Sequence, residues 1–347
     1  MRSSFGKNII VSIWGGSHEP AIGVDIEGIP VGTEINMDEL QAFMNRRAPG
    51  NSPFATKRKE PDIPIAKGGV SMTNPSQASE SSSSNVLKVT EKTVSFEIRN
   101  TDTRSADYKA LAKVPRPGHA DYTARLRYGG QLNMAGGGPF SARMTAPLCI
   151  AGGIAKQILA KQGISINAEI HSIGGVKGKA MEAKILEAKE ALDSVGGIVE
   201  AVVTGLPGGI GGAMYDGIES TLAPILFGIP AVKGVEFGAG FKAAEMLGSE
   251  NNDPFYYDEN GCVKTRTNNC GGILGGITTG MPLITRIAFK PTPSIARQQD
   301  SVDLETKENT KLIVKGRHDP CVVVRAVPVV EAALAIGILD CMMDLDK

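Results

Sequence analysis

Residues 146–162, APLCIAGGIAKQILAKQ, read as a helix with almost no polar face and a glycine pair at its centre. A helix that is apolar all round has to be enclosed by other elements, so the fold must lay structure on more than one side of it. Paired and tripled glycines recur along the chain, which holds 42 of them. Such runs mark tight turns or close backbone approach. Short apolar runs surround the helix: 8–13, 21–27, 165–173, 198–204, 231–237 and 283–289 read as strands, and 86–99 alternates like strands.

Helical spacing recurs at 38–47, where Leu40, Phe43 and Met44 share a face, and at 107–113, 180–194 and 217–227. A short strand at 322–325 is expected to lead into a last helix from Pro328. Residues 48–67 read as a Pro-rich basic loop, 74–85 as a Ser-rich surface segment and 253–269 as a polar loop. Helices and strands interleave with no composition break, which gives no internal boundary within 1–347. Short connectors between strands predict antiparallel or mixed sheets.

Lys+Arg and Asp+Glu both number 37, so the net charge is zero, which argues against a general nucleic-acid or membrane-surface binder. The five cysteines, at 149, 262, 270, 321 and 341, are odd in number and form no Cys-x-x-Cys pair. That disfavours a disulfide framework or zinc cage and suggests a reducing cytoplasm. The start of the chain lacks a signal-peptide pattern, and no uninterrupted apolar stretch can span a bilayer. The nearest, 327–345, carries Glu331 and Asp340.

Histidine is rare, with four in the chain, and three of them sit in blocks of Gly, Ser, Arg and Asp. The first is Gly15-Gly16-Ser17-His18; the second, RPGHADYT, spans 116–123; the third, GRHDPC, spans 316–321. Histidine titrates nearest neutral pH, and Arg104, Arg116, Arg317 and Arg325 offer planar donors for phosphate or carboxylate. Asp319 beside His318 could serve proton transfer or cap a turn before Pro320. Arg325 and Glu331 could instead pair with each other. The run GGGPFSARMT at 136–145 can cradle an anion at the start of the helix that follows. It is not a P-loop, lacking Gly-Lys-Ser/Thr at the required spacing, and the glycines at 208–212 read as a turn. Residues 266–280, RTNNCGGILGGITTG, followed by KPTPS at 290–294, could hold a flat polar ligand, with Lys290 offsetting an anion. His171, in a predicted strand outside these blocks, reads as structural.

Taken in order, these blocks resemble the chorismate synthase family over nearly the whole chain. The resemblance implies an α+β fold, a β-α-β sandwich with long central helices between antiparallel sheets, as a single domain over 1–347. It implies loss of phosphate from 5-enolpyruvylshikimate 3-phosphate by anti-1,4-elimination, giving chorismate. Reduced FMN is required, with NADPH as a candidate reductant, and the assembly is usually a homotetramer. Carried over by motif, Arg47, Arg104, Arg116, Arg143 and Arg325 would hold substrate. His119 would act as general acid, His18 would sit by the flavin, and Asp319 with Ser17 would relay a proton. FMN would contact Arg47, Pro139, Phe140, Ser141, Pro230, Ala231, Gly275, Lys290, Pro291, Thr292, Pro293, Ser294 and Arg317.

The first block usually reads Gly-Glu-Ser-His-Gly in that family, whereas here Gly16 precedes Ser17 and Glu19 follows His18. Pro53 and Pro139 stand where basic residues are usual, and 74–85 is Ser-rich rather than Gly- and Thr-rich. These departures keep open a catalytically impaired relative that binds flavin or a phosphorylated metabolite.

Overall fold

The computed structural model describes residues 2–50, 60–72, 85–101, 113–314 and 319–344. The first part of the chain forms β1 (Arg2–Phe5), β2 (Ile10–Gly15), β3 (Ala21–Glu27), β4 (Glu34–Asn36), α1 (Met37–Arg47), β5 (Ile65–Gly68), β6 (Val70–Met72), β7 (Val86–Val89) and β8 (Thr93–Arg99). There follow α2 (Asp121–Tyr128), α3 (Thr145–Ala160), β9 (Ser165–Ile173), α4 (Ala180–Glu190), β10 (Gly197–Thr204), α5 (Ile218–Phe227) and β11 (Val232–Phe237). The last part holds α6 (Gly248–Asn251), β12 (Phe255–Tyr257), β13 (Val263–Thr265), β14 (Ile273–Leu274), β15 (Ile277–Thr278), β16 (Leu283–Phe289), β17 (Gln299–Asp303), β18 (Glu308–Leu312) and α7 (Val323–Met342).

Two antiparallel sheets enclose a central layer of helices that includes α3 and α7. One has the order β1-β2-β3-β8-β5 and the other β11-β16-β10-β9, with a smaller β4-β7-β6 sheet beside the first. Alternation sets which face of β3 and β8 is covered: Ile22, Val24, Ile26, Val94, Phe96 and Ile98 are buried, and Val24 lies opposite both Ile13 and Phe96. Helix α3 packs on β2, β3 and β8, whereas α7 packs on β9 and β10. The two helices lie along each other, with α1 and α5 alongside. The layers therefore run sheet, helices, sheet, which is the sandwich expected above.

The glycines of α3 explain the closeness of that middle layer. A Cβ on Gly152 would fall 2.2 Å from Cβ and 2.3 Å from Cα of Ala332 in α7, and one on Gly153 would fall 2.6 Å from Leu40 in α1. Two carboxylates anchor α7. Glu331 is buried and accepts from both terminal nitrogens of Arg46 at 2.8 Å, from Lys156 and from the N–H of Ala168 on β9. Asp340 accepts from the backbone N–H groups of Lys7, Asn8 and Ile9 and so ties the β1–β2 turn to the helix end.

Several sequence expectations are corrected. Residues 322–325 are not a strand: Val322 caps α7 and the helix runs through Pro328. Glu331 pairs with Arg46 and Lys156, and Arg325 pairs with Asp319, so the two do not meet. The polar segment 253–269 contains the β12–β13 hairpin, and α4 stops at Glu190 rather than 194. His171 faces Glu200 at 3.6 Å across the four-stranded sheet. The expected helix at 107–113, except Lys113, residues 51–59 of the expected 48–67 loop and residues 74–84 of the Ser-rich segment lie outside the described residues, and the end of that loop is instead strand β5.

Candidate active site

A cavity of about 320 Å³ opens where the loop before α2, the turn before α3, the end of β16 and the start of α7 converge. Each segment reaches it for a local reason. Gly136, Gly137 and Gly138 all take positive φ (61°, 93° and 52°), a path closed to ordinary L-residues. A Cβ on Gly136 would lie 2.0 Å from the His18 ring. The path continues into Ser141, whose Oγ accepts from the Arg143 N–H and caps the short turn Ala142–Met144. On the far wall Ala231 sits at φ 76°, and its carbonyl accepts the Lys290 N–H at 2.9 Å.

His119 is fixed by its own block. Its Nδ1 lies 2.7 Å from Asp121 Oδ1, which accepts it, and Asp121 in turn takes a two-point bond from Arg116, Nε at 2.7 Å and Nη2 at 2.8 Å. With Nδ1 committed, Nε2 is the nitrogen left to exchange a proton with a ligand. Burial alone would raise the Asp121 carboxyl. Donation from Arg116 and His119 outweighs it and holds the group well below the usual carboxylate range. Arg116 also donates to Ser294 at 3.0 Å, joining this loop to 290–294.

The remaining arginines are also held by carboxylates: Arg47 and Arg143 by Asp62 and Glu60, which carry no motif in the sequence, and Arg325 by Asp319. Arg143 donates to Asp62, to Glu60 at 3.2 Å and to Asn100 at 3.1 Å. Each of its terminal nitrogens carries a second N–H beyond these bonds. Arg325 donates to Asp319 at 2.9 Å and to the Arg47 carbonyl at 3.1 Å. Arg47 is fully buried, donating to Asp62 at 2.6 Å and to Thr145 at 3.1 Å. Burial lowers it to about 10 although Asp62 supports its charge, and the Arg325 and Arg143 guanidiniums act in the same direction as burial. It borders a smaller adjoining cavity of about 40 Å³ rather than the main one. Lys290 donates to the Gly118 carbonyl, and burial together with Lys233 lowers it from its ordinary value.

Of the residues named from sequence, Arg116, His119, Phe140, Ser141, Arg143, Pro230, Ala231, Lys290, Thr292, Pro293, Ser294, Asp319 and Arg325 meet on this one cavity. Pro139 and Pro291 lie in the same segments without forming its wall. Ser17 and His18 stand behind the glycine turn: Ser17 Oγ donates to the Ala135 carbonyl at 3.0 Å and lies 3.3 Å from His18 Nδ1. Gly275 sits in the β14–β15 turn, away from the cavity. Arg104, Arg317 and His318 lie outside the described residues. Glu60, Asp62, Asn100 and Asp121 were missed. Only Asp121 carried a signal, two residues after His119 and at the start of a helix.

Among the described residues no group of three or more His, Cys, Asp or Glu is placed to hold a metal ion, and no helix is long and apolar enough to cross a membrane. Fold and cavity together define an antiparallel β-α-β sandwich whose cavity gathers three arginines and a lysine around a histidine–aspartate pair. The sequence model of the family described as chorismate synthase matches residues 9–343. A chorismate synthase of Lancefieldella parvula is 42% identical, covering 98% of this chain and 96% of that protein. One of Thermococcus kodakarensis is 43% identical, covering 96% of each. A crystal structure of a chorismate synthase superposes with a TM-score of 0.71 at 22% identity, covering 98% of this chain and 93% of that one, and shares the fold. This chain belongs to the chorismate synthase family.

Proposed function

We propose that this chain catalyses the anti-1,4-elimination of phosphate from 5-enolpyruvylshikimate 3-phosphate, yielding chorismate, with reduced FMN as cofactor. Family membership over almost the whole chain gives the reaction. The observation that supports it in this molecule is the convergence of His119, backed by Asp121, with Arg116, Arg143, Lys290 and Arg325 on one cavity. The substrate carries two carboxylates and a phosphate, so binding it requires several fixed cations rather than one.

In this reading Arg116, Arg143 and Arg325 orient the substrate, each held by a carboxylate so that its position is set before binding. His119 supplies a proton from Nε2 to the departing phosphate, and Asp121 balances the charge on the ring. Asp319, anchored by Arg325, stands on the same wall as a proton-handling carboxylate. The residues present fit a phosphorylated flat ring: Phe140, Pro230, Ala231 and Pro293 give apolar surface, beside Lys290 and Ser294 as phosphate or polar donors. Reduced flavin, when bound, supplies transient electron density to the allylic system as phosphate leaves. His18, beneath Gly136, would steady the wall on the flavin side. NADPH as reductant, a homotetrameric assembly and a cytoplasmic setting belong to the same proposal.

The test is an anaerobic assay with the purified protein, chemically reduced FMN and substrate. Release of inorganic phosphate with equimolar chorismate is expected; flavin binding without release would leave only a binding protein. Adding NADPH to the protein with oxidised FMN, without oxygen, tests the reductant by bleaching of the flavin absorbance.

A further inference from the structure

Asn100, the residue after β8, belongs to none of the sequence blocks and is half-buried. Its side chain makes three hydrogen bonds. Nδ2 donates to the carbonyls of Gly16 at 3.2 Å and Glu19 at 2.7 Å, while Oδ1 accepts from Arg143 Nε at 3.1 Å. Its backbone N–H donates to the Pro20 carbonyl at 3.0 Å. The partners dictate the orientation of the amide. Two carbonyls require the NH2 group and a guanidinium requires the oxygen, so the flipped amide would lose all three bonds. An aspartate could keep Arg143 but would repel both carbonyls, and an alanine would serve neither side.

The turn held this way carries Ser17 and His18. Ser17 N–H donates to the Gly138 carbonyl at 3.3 Å and its hydroxyl to the Ala135 carbonyl at 3.0 Å, while the His18 ring packs against Gly136. The turn therefore backs the glycine wall of the cavity, and Arg143 forms part of another wall. Asn100 is where the two are joined, although it does not line the cavity itself.

We propose that Asn100 is a positioning residue, which sets the Ser17–His18 turn and the glycine wall against Arg143. The inference rests on the functional reading above, because it assigns Arg143 to substrate and the turn to the flavin side. Asn100→Asp and Asn100→Ala separate the two arms. Asn100→Asp keeps the acceptor for Arg143 and loses the turn. The expected result is a fall in kcat of about tenfold or more, on the scale of the two hydrogen bonds lost to Gly16 and Glu19, with KM for the phosphorylated substrate within about twofold of wild type. Asn100→Ala loses both arms, and KM rises by about tenfold as well.

Amide hydrogen exchange on the ligand-free protein, over a peptide spanning 14–22, gives a readout independent of activity. Both variants should speed exchange at Ser17 and Glu19. Unchanged exchange there overturns the proposal whatever the activity, and so does an identical kinetic loss in both variants, which marks a general loss of fold. Should Asn100→Ala fail to fold, Asn100→Asp alone decides through exchange and the split between kcat and KM. If the wild-type protein shows no elimination, the functional reading fails, and exchange still decides whether Asn100 holds the turn.

Discussion

Asp121 holds His119 at 2.7 Å through Nδ1 and is itself clamped by Arg116, so the histidine, its carboxylate and an arginine form one rigid unit. Replacing His119 with Ala is expected to lower kcat by about 10²–10⁴, the usual contribution of a general acid. Asp121→Asn should lose activity toward the lower end of that range, because the ring remains but its orientation and charge balance are weakened. Steady-state kinetics under anaerobic conditions measure both. If both variants kept full activity, His119 would have no part in proton transfer.

The contact of Gly152 with Ala332 sets two opposing effects against each other. Alanine in a helix interior gains about 1 kcal/mol over glycine. Here, however, the new methyl would sit 2.3 Å from the Ala332 Cα and 2.7 Å from its carbonyl oxygen, so backbone must move. Overpacking of this kind costs about 1–3 kcal/mol. Gly152→Ala should therefore lower the melting temperature, and Ala332→Gly in the same chain should recover only part of the loss, since the backbone atoms remain. A rise in melting temperature for the single variant would show that α3 and α7 are not in this contact.

Where periodicity was clean, the sequence was an accurate guide: residues 165–173 and 283–289 are β9 and β16 to the residue. It misled at 322–325, where a run of valines has strand propensity but enclosure of α7 on all sides favours helix, and Pro328 is accommodated inside it. Cavity residues in contiguous blocks, such as Arg116, His119 and Lys290, were legible because those blocks cluster polar groups with glycine and proline and carry the family resemblance. Asp62 and Asn100 were not. Asp62 lies in a proline-rich basic loop and gains its place only when folding brings Arg47 and Arg143 to either side of it. Asn100 is one amide at the end of a strand, and its partners come from positions 16, 19 and 143.

Glu331 predicts an acid dependence of stability. Burial opposes its charge, but donation from Arg46 and Lys156 prevails and holds the carboxyl below its ordinary value of 4.5. A depressed folded-state value means the stabilisation is fully present above the unfolded value and fades as pH falls through the folded one. Glu331→Gln should cost about 3 kcal/mol at neutral pH, the low end for breaking a buried pair, as Arg46 is partly exposed. The gap between wild type and variant should narrow below pH 4.5. Denaturant unfolding at several pH values measures it, and a gap that stayed constant into acid would assign the acid dependence to other carboxylates.

Lys290 predicts the opposite limb. Burial and Lys233 lower its value, so it surrenders its proton at a lower pH than an ordinary lysine. The protonated form is the one that attracts a phosphate, and a bound anion restores its preference for the proton. Binding of a phosphorylated ligand should therefore take up a proton on the alkaline side, and 1/KM should decline there before a normal lysine would titrate. Lys290→Arg keeps the charge to higher pH and should move that decline upward, while Lys290→Met should weaken binding at neutral pH and flatten the limb. A profile of 1/KM against pH for the three proteins decides it: an alkaline limb unmoved in Lys290→Arg would mean that another group sets it.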